Sequence, residues 1–287
     1  MKSLQLLAPA KLNLFLHITG RRADGYHELQ TVFQLLDYGD AMELFATDTG
    51  DINLHCPGLP LPQQDNLAWR AAKLLQSHSG TDRGARIHID KRLPAGGGLG
   101  GGSSNAATTL LALNRLWELE LETAELAAMG LQLGADVPVF VHGHSAWAEG
   151  VGEKLQPLDL PSCHYLVIAT ACQVSTAEVF SHPQLTRNTS AIKMAAVFEQ
   201  DGRNDCERVV RQLYPEIDKA LNWLEKFGQP QLTGTGACVF ARFKSEEQAQ
   251  AVLHQLPGNW QGFVANGINR SPVHTALAEL KVVVTSS

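Results

Sequence analysis

Leu12, Leu14 and Leu16 alternate with Lys11, Asn13 and Phe15 near the start of the chain. A period of two reads as a β-strand, and it puts Lys11 and Asn13 on one face of that strand. A turn is predicted at Arg21-Arg22-Ala23-Asp24-Gly25, followed by strands over Leu29–Leu36 and Ala41–Ala46. Asp65 is placed to cap a helix over Leu67–Gln76, with Leu67, Ala71, Leu74 and Leu75 as its buried stripe. Arg86–Ile89 alternates again as a strand. Ala106, Leu110, Leu113 and Trp117 then recur at helical spacing, and a second helix is predicted over Ala124–Leu133 with Gly134 as its terminating residue. Ala146–Gly150 reads as a short strand.

Prolines interrupt the pattern around Gln156–Ser162, and a domain boundary is placed there, giving an N-terminal unit 1–156 and a C-terminal unit 157–287. The second unit is read as strands at Tyr165–Ala169, Cys238–Phe243 and Phe263–Ala265. Helices are expected near Asp205–Leu213, Ile217–Phe227 and Glu246–Leu256. Strands and helices mix without a strict βαβ rhythm, so the fold class is α+β. The tail Lys281–Ser287 is left unassigned.

Between the strand at Arg86–Ile89 and the helix that follows lies Pro94-Ala95-Gly96-Gly97-Gly98-Leu99-Gly100-Gly101-Gly102-Ser103-Ser104-Asn105. Six glycines within seven positions are costly to order. In return they give a loop whose backbone N–H groups can crowd around an anion with no Cβ in the way. Such a loop feeding a helix N-terminus is a phosphate cradle. Ser103 and Ser104 offer hydroxyls to a phosphate or to the helix end, and Asn105 offers an amide. The Walker A pattern requires Gly-Lys-Ser/Thr and is not met, because Gly102 is followed by Ser103. The spacing Gly96-x-Gly98-x-x-Gly101 does satisfy a dinucleotide pattern, so an NAD-dependent oxidoreductase is the rival reading. Against it, Glu118, Glu120 and Glu122 stand at a helix end rather than at a second strand, and the run lies far from the N-terminus.

Composition narrows the class. The chain has 287 residues, 44% hydrophobic and 18% charged, as expected of a soluble enzyme with a substantial core. Its net charge of −6 argues against nucleic acid as the main partner. Cys56, Cys163, Cys172, Cys206 and Cys238 are scattered without a CxxC pair, so free thiols in a reducing compartment are expected. The first residues carry no signal-peptide pattern and no apolar run has membrane-spanning length, which makes a cytoplasmic location the expectation. His142-x-His144 lacks a third ligand and reads as a solvated pair, so no protein-held metal site is assigned.

The run Pro94–Ala107 resembles the nucleotide loop of the GHMP small-molecule kinases. Two further segments agree: Pro9-Ala10-Lys11-Leu12-Asn13-Leu14-Phe15-Leu16 with the N-terminal motif of that superfamily, and Leu232-Thr233-Gly234-Thr235-Gly236-Ala237-Cys238-Val239-Phe240 with its C-terminal glycine motif. Asp24–Thr31 and Gly134-Ala135-Asp136-Val137-Pro138-Val139-Phe140 resemble one branch, which phosphorylates a cytidine-diphosphate-linked sugar alcohol in isoprenoid precursor synthesis. The resemblance implies a two-domain architecture, an N-terminal domain like ribosomal protein S5 domain 2 and a C-terminal ferredoxin-like domain. It implies ATP, bound at Pro94, Ala95, Gly96, Gly97, Gly98, Leu99, Gly100, Gly101, Gly102, Ser103 and Ser104, with Mg²⁺ held mostly by the phosphate oxygens of ATP. Asp136 would be the general base and Lys11 its partner, with Asn13 beside the acceptor hydroxyl. Tyr26 and Phe180 would stack on the base, His27 would hydrogen-bond it, and Thr176 would lie near the substrate phosphates. Taken alone, Lys11 reads as a surface lysine, Asp136 as a helix N-cap ahead of Pro138, and Phe180 as a core residue. Another GHMP kinase, acting on homoserine, mevalonate or a sugar, is the nearest alternative. The sequence does not give an oligomeric state.

Overall fold

The computed structural model describes residues 3–195 and 202–284. Two long strands, β1 (Ser3–Arg21) and β2 (His27–Thr47), form an antiparallel pair joined by the expected turn at Ala23–Gly25. The two strands expected between Leu29 and Ala46 are therefore one. Asp37 and Gly39, which look like turn residues in sequence, serve other purposes. The Asp37 carboxylate accepts from the Asn266 backbone N–H at 2.7 Å, and Gly39 lets the Ala8 carbonyl come within 1.9 Å of where a Cβ would stand.

β2 is the hub of the sheet. It pairs with β1, with β4 (Gly84–Asp90) and with β5 (Ala146–Gly150), all antiparallel. β3 (Ile52–His55) runs parallel to β4, and β6 (Lys154–Pro157) pairs with β5. A second antiparallel set has the order β10-β7-β9-β8, formed by β7 (His164–Ala169), β8 (Pro230–Leu232), β9 (Cys238–Phe243) and β10 (Gln261–Ile268). The two sets touch where Gly267 and Ile268 of β10 meet Leu36 and Leu35 of β2.

Helices α1 (Leu67–Ser79), α2 (Gly101–Leu116), α3 (Thr123–Leu133) and α4 (Val137–His142) cover the first set. The second set carries α5 (Thr176–Ser181), α6 (Glu207–Leu213), α7 (Pro215–Leu224) and α8 (Glu246–Leu253). The last helix, α9 (Pro272–Val284), returns to the N-terminal elements and packs Val273, Ala276 and Leu277 into their core; residues 285–287 of the unassigned tail lie outside the described residues. A third apolar cluster joins the two halves: Leu12 and Leu14 of β1, Leu93 and Leu99 beside the glycines, and Cys238 and Phe240 of β9.

Three helix ends differ from expectation. Asn66, not Asp65, caps α1, its side chain accepting from the Ala68 N–H at 2.9 Å, because Asp65 is taken up in a 3₁₀ turn over Gln63–Asp65. α2 begins at Gly101 behind Gly100, so Ser103 and Ser104 lie inside its first turn and do not cap it. Gly134 ends α3 in an extended conformation rather than a left-handed one. All five cysteines are free thiols, Cys206 and Cys238 buried and the other three half-buried. No helix among the described residues is long and apolar enough to cross a membrane.

Candidate active site

The glycine loop links β4 to α2, and its carbonyls are held by two other segments. Gly96 O accepts from Ala237 N (3.3 Å), Gly97 O from Cys238 N (3.0 Å), Gly98 O from the Thr233 hydroxyl (3.2 Å) and Leu99 O from Lys11 N (3.0 Å). In a trans peptide the next residue's N–H points opposite to the carbonyl. Pinning these four carbonyls therefore turns the N–H groups of Gly97, Gly98, Leu99 and Gly100 away from the pinning segments. Gly96, Gly98 and Gly100 adopt φ of +70°, +77° and +72°. This alternation makes a concave nest of backbone donors, which suits an anion. A Cβ on Gly98 would stand 2.2 Å from the Thr233 carbonyl oxygen, and one on Gly97 would stand 2.7 Å from the Cys238 sulfur.

The loop faces a cavity of about 350 Å³ lined by residues 94–103, with Leu59, Leu61 and Leu67 as an apolar wall and Asn66 at its edge. Pro94, Ala95, the six glycines and Ser103 line it; the side chain of Leu99 turns into the core. Ser104 is fully buried, and its hydroxyl has no hydrogen-bond partner. The Asn105 amide expected to serve the loop is committed elsewhere. It donates to Asp40 at 2.9 Å and accepts from Lys91 at 3.2 Å. Buried Asp40 also pairs with the Lys91 ammonium and accepts from the N–H groups of Arg92 and Leu93, at 2.8 and 2.9 Å. This network ties the end of β4 to the start of α2, and hydrophobic periodicity gave no sign of it.

Lys11 and Asn13 do share a face of β1. Lys11 Nζ lies 2.6 Å from Asn13 Oδ1 and 3.3 Å from Asp136 Oδ2, with the Phe33 ring centroid at 5.3 Å. The side chain of Lys11 is only 3% exposed, whereas that of Asp136 is 34% exposed. The lysine is thus a buried cation behind a carboxylate that opens to solvent, not the surface residue its isolated sequence position suggests. Asp136 does occupy the N-cap position of α4, with Pro138 in the first turn, but its side chain makes no capping bond. Asn13 is buried, and its Nδ2 donates to Thr31 Oγ1 at 3.0 Å while its backbone N–H donates to Thr233 Oγ1 at 3.1 Å. Loop and ion pair adjoin, since a Cβ on Gly100 would lie 3.2 Å from Lys11 Cε.

A second cavity, of about 730 Å³, brings together Tyr26, His27, Thr176 and Phe180, and reaches Ala135 beside Asp136. Tyr26 is 66% exposed at this site. The rings of His27 and Phe180 lie 5.0 Å apart and tilted by 32°. Thr176 Oγ1 is 2.9 Å from Thr235 Oγ1 of the C-terminal glycine motif. The pKa of His27 is lowered by burial and then by Arg187 and Arg21, so the ring is neutral at pH 7. Two residues of this region were not singled out by sequence reasoning: Thr233, which bridges Asn13 and Gly98, and Arg187, which donates to His27.

His142 ends α4 and has a pKa lowered by burial. Among the described residues no group of three or more His, Cys, Asp or Glu side chains is placed to hold a metal ion. The dinucleotide reading fails on topology. α2 is followed by α3 and α4, and the next strand, β5, joins the sheet antiparallel to β2 rather than parallel to β4.

Comparison with known proteins agrees with this arrangement. Residues 66–144 match the GHMP kinases N terminal domain, and residues 185–262 match the GHMP kinases C terminal domain. The chain is 56% identical over 281 residues to 4-diphosphocytidyl-2-C-methyl-D-erythritol kinase of Marinobacter nauticus, covering 96% of this chain and 98% of the relative. It is 55% identical over 292 residues to the enzyme of that name from Hahella chejuensis, covering 98% and 97%. A crystal structure of 4-(cytidine 5'-diphospho)-2C-methyl-D-erythritol kinase superposes with a TM-score of 0.80 at 32% identity, covering 93% of this chain and all of that one. With a nest of backbone donors adjoining a buried lysine and its aspartate partner, and identity of this extent, the chain belongs to the 4-diphosphocytidyl-2-C-methyl-D-erythritol kinase family of ATP-dependent GHMP small-molecule kinases.

Proposed function

We propose that this kinase transfers the γ-phosphate of ATP to the 2-hydroxyl of 4-diphosphocytidyl-2-C-methyl-D-erythritol, with Asp136 as general base and Lys11 as its charge partner. The observation that carries the reading is the Lys11–Asp136 pair, which adjoins the glycine loop through Lys11 and the second cavity through Ala135. The glycine nest lies beside Lys11, and the Tyr26–His27–Phe180 cavity ends at Ala135, one residue from Asp136.

Phosphoryl transfer asks the protein to hold phosphates, offset their charge and align the attacking hydroxyl. The outward N–H groups of Gly97 to Gly100 meet the first need, and the start of α2 adds its dipole. Lys11, held by Asn13, offsets charge at the transferring group. Its stem also packs close to the loop, which fixes the distance between nucleotide and acceptor. Asp136 accepts the hydroxyl proton as the new O–P bond forms and the bond between the γ-phosphorus and the β-bridging oxygen breaks, releasing ADP. The proton leaves late in a loose transition state, so Asp136 both aligns the hydroxyl and takes its proton. Mg²⁺ fits this site as a passenger on ATP. The loop offers backbone donors and the Ser103 hydroxyl rather than a carboxylate cage, so phosphate oxygens would be its main ligands, and its charge would further neutralise them.

In the second cavity Tyr26 and Phe180 take the cytosine ring and His27 hydrogen-bonds its edge. Thr176, next to Thr235, lies toward the diphosphate. Residues 1–156 would carry the nucleotide loop and the reacting groups, and residues 157–287 would close the cleft.

The test is ADP release from purified protein with ATP and Mg²⁺, offering the cytidyl compound, homoserine and mevalonate in parallel. Release with the cytidyl compound alone is expected. Release with another acceptor would retain the kinase and overturn the cytosine site.

A further inference from the structure

Arg187 lies after α5, and its guanidinium reaches four acceptors. Nη2 donates to the carbonyls of Phe180 and His182, both at 2.8 Å, and Nη1 donates to that of Leu185 at 3.2 Å. Nε donates across the cavity wall to Nε2 of His27 at 3.2 Å. Among the described residues Arg187 forms no ion pair with a carboxylate. Its donors go to the backbone at the end of α5 and to one imidazole.

A guanidinium stays charged at any working pH and can only donate. The His27 nitrogen that faces it must therefore carry a lone pair, and the single proton of the neutral ring must sit on Nδ1. We propose that Arg187 is a positioning residue for base recognition: it fixes His27 as the Nδ1–H tautomer and ties that ring to the Phe180 backbone as one wall of the cavity. The inference rests on the reading of this cavity as the site of the cytidyl group. A ring N–H held in one place is a donor, and it suits a pyrimidine whose edge offers acceptors. Cytosine presents N3 as an acceptor, whereas uracil presents N3–H, which would meet the imidazole donor to donor.

The charges around His27 act in the same direction. Arg187 and Arg21 both disfavour an imidazolium, as does burial. Glu28, its neighbour in sequence, is drawn toward Arg22 at 3.8 Å, and Asp24 pairs with Arg22 at 2.9 Å.

The test compares the full-length protein with Arg187→Met and Arg187→Lys. Nitrogen NMR of the ligand-free proteins reads the tautomer and titration of His27. KM values are measured for ATP and for the cytidyl compound, and CDP and UDP are compared as inhibitors. In the parent, His27 should be the Nδ1–H tautomer and stay neutral below the ordinary histidine range. In Arg187→Met it should titrate higher and populate both tautomers. The KM for the cytidyl compound should rise about tenfold and the preference for CDP over UDP should shrink by a similar factor, as expected for loss of one well-placed hydrogen bond. The KM for ATP should not move, which also shows that the variant is folded. Arg187→Lys keeps the charge without the fork, so it should depress the His27 titration and still weaken cytidyl binding. An unchanged His27 tautomer and titration in Arg187→Met would overturn the proposal, as would a changed His27 with unaltered cytidyl KM and CDP preference. Because the NMR measurement needs no substrate, parent protein inert toward the cytidyl compound would overturn the substrate reading separately.

Discussion

Asp136→Asn keeps the shape of the side chain and removes both its charge and its basic oxygen. Lys11 would then be left buried, with Asn13 Oδ1 at 2.6 Å and the Phe33 ring as its remaining partners. Opposite charges 3.3 Å apart attract by about 5 kcal/mol at an effective dielectric constant of about 20. One third of Asp136 is open to water, which screens the pair, so a net loss of roughly 2 kcal/mol of stability is expected. For a chain of this size that lowers Tm by roughly 4–8 °C. Loss of the base should lower kcat by about 10²–10⁴. The KM for ATP should hold, because the nucleotide cavity is lined by the loop and the residues flanking it. Coupled ADP release with the cytidyl acceptor reads kcat, and thermal melting reads stability. The companion Lys11→Met removes the buried cation, so its stability should stay near that of the parent while kcat falls. Because the two groups act on the same proton and phosphoryl group, the double variant should be no slower than the worse single one. A kcat for Asp136→Asn within about threefold of the parent would remove Asp136 from the chemistry.

Gly98→Ala should destabilise by about 1–3 kcal/mol and raise the KM for ATP, because its Cβ would meet backbone on two sides at a φ of +77°; melting and ATP titration test this, and normal ATP binding would refute the loop geometry. Tyr26→Ala and Phe180→Ala should each weaken the cytidyl substrate by about 1–3 kcal/mol and leave ATP unaffected, read as KM values in the same assay. Burial is the largest cause lowering the pKa of both His17 and His274. Their stability contribution is therefore complete above the unfolded value of about 6.5 and is lost as pH falls through it, at up to about 1.4 kcal/mol per pH unit for each group. Urea denaturation from about pH 7.5 to about 5.5 should show that decline, and a flat profile would contradict it.

Much of this site is readable in the chain because its parts are local. The glycine run announces a nest of backbone donors, and the i, i+2 spacing of Lys11 and Asn13 places them together on β1. Turn chemistry misled where tertiary contacts overrode it. Asp37 and Gly39 look like a break between strands, yet β10 and the Ala8 carbonyl use them inside one continuous strand. The serines after the glycines look like helix caps, but the cap position falls to Gly100, at a φ of +72° and where a Cβ would sit 2.8 Å from the Phe140 ring, so α2 begins at Gly101. α5 is too short to show a helical period, and the end of α9 falls in the tail after Leu280, whose β-branched and small residues left it unassigned. Arg187 carried no local signal, because its partners are main-chain carbonyls and a histidine from β2.

The largest gap between sequence and structure is Thr233. In the chain it is one small residue of a glycine motif. In the fold its hydroxyl accepts from the Asn13 backbone and donates to Gly98 O, and it is fully buried. Asn204 supports it by donating to the carbonyls of Leu232 and Gly234, both at 2.8 Å. The strand that bears Lys11 and the loop that would cradle ATP are thus held to the same hydroxyl. The C-terminal half lines none of the nucleotide cavity, yet through Thr233 it reinforces the spacing between nest and lysine that the Lys11 N–H to Leu99 O bond sets. A sub-ångström slip between those two elements would separate the phosphate from the group meant to neutralise it, and alignment is where phosphoryl transfer is most sensitive. The C-terminal glycine motif thus holds the backbone of the loop, through Thr233, Ala237 and Cys238.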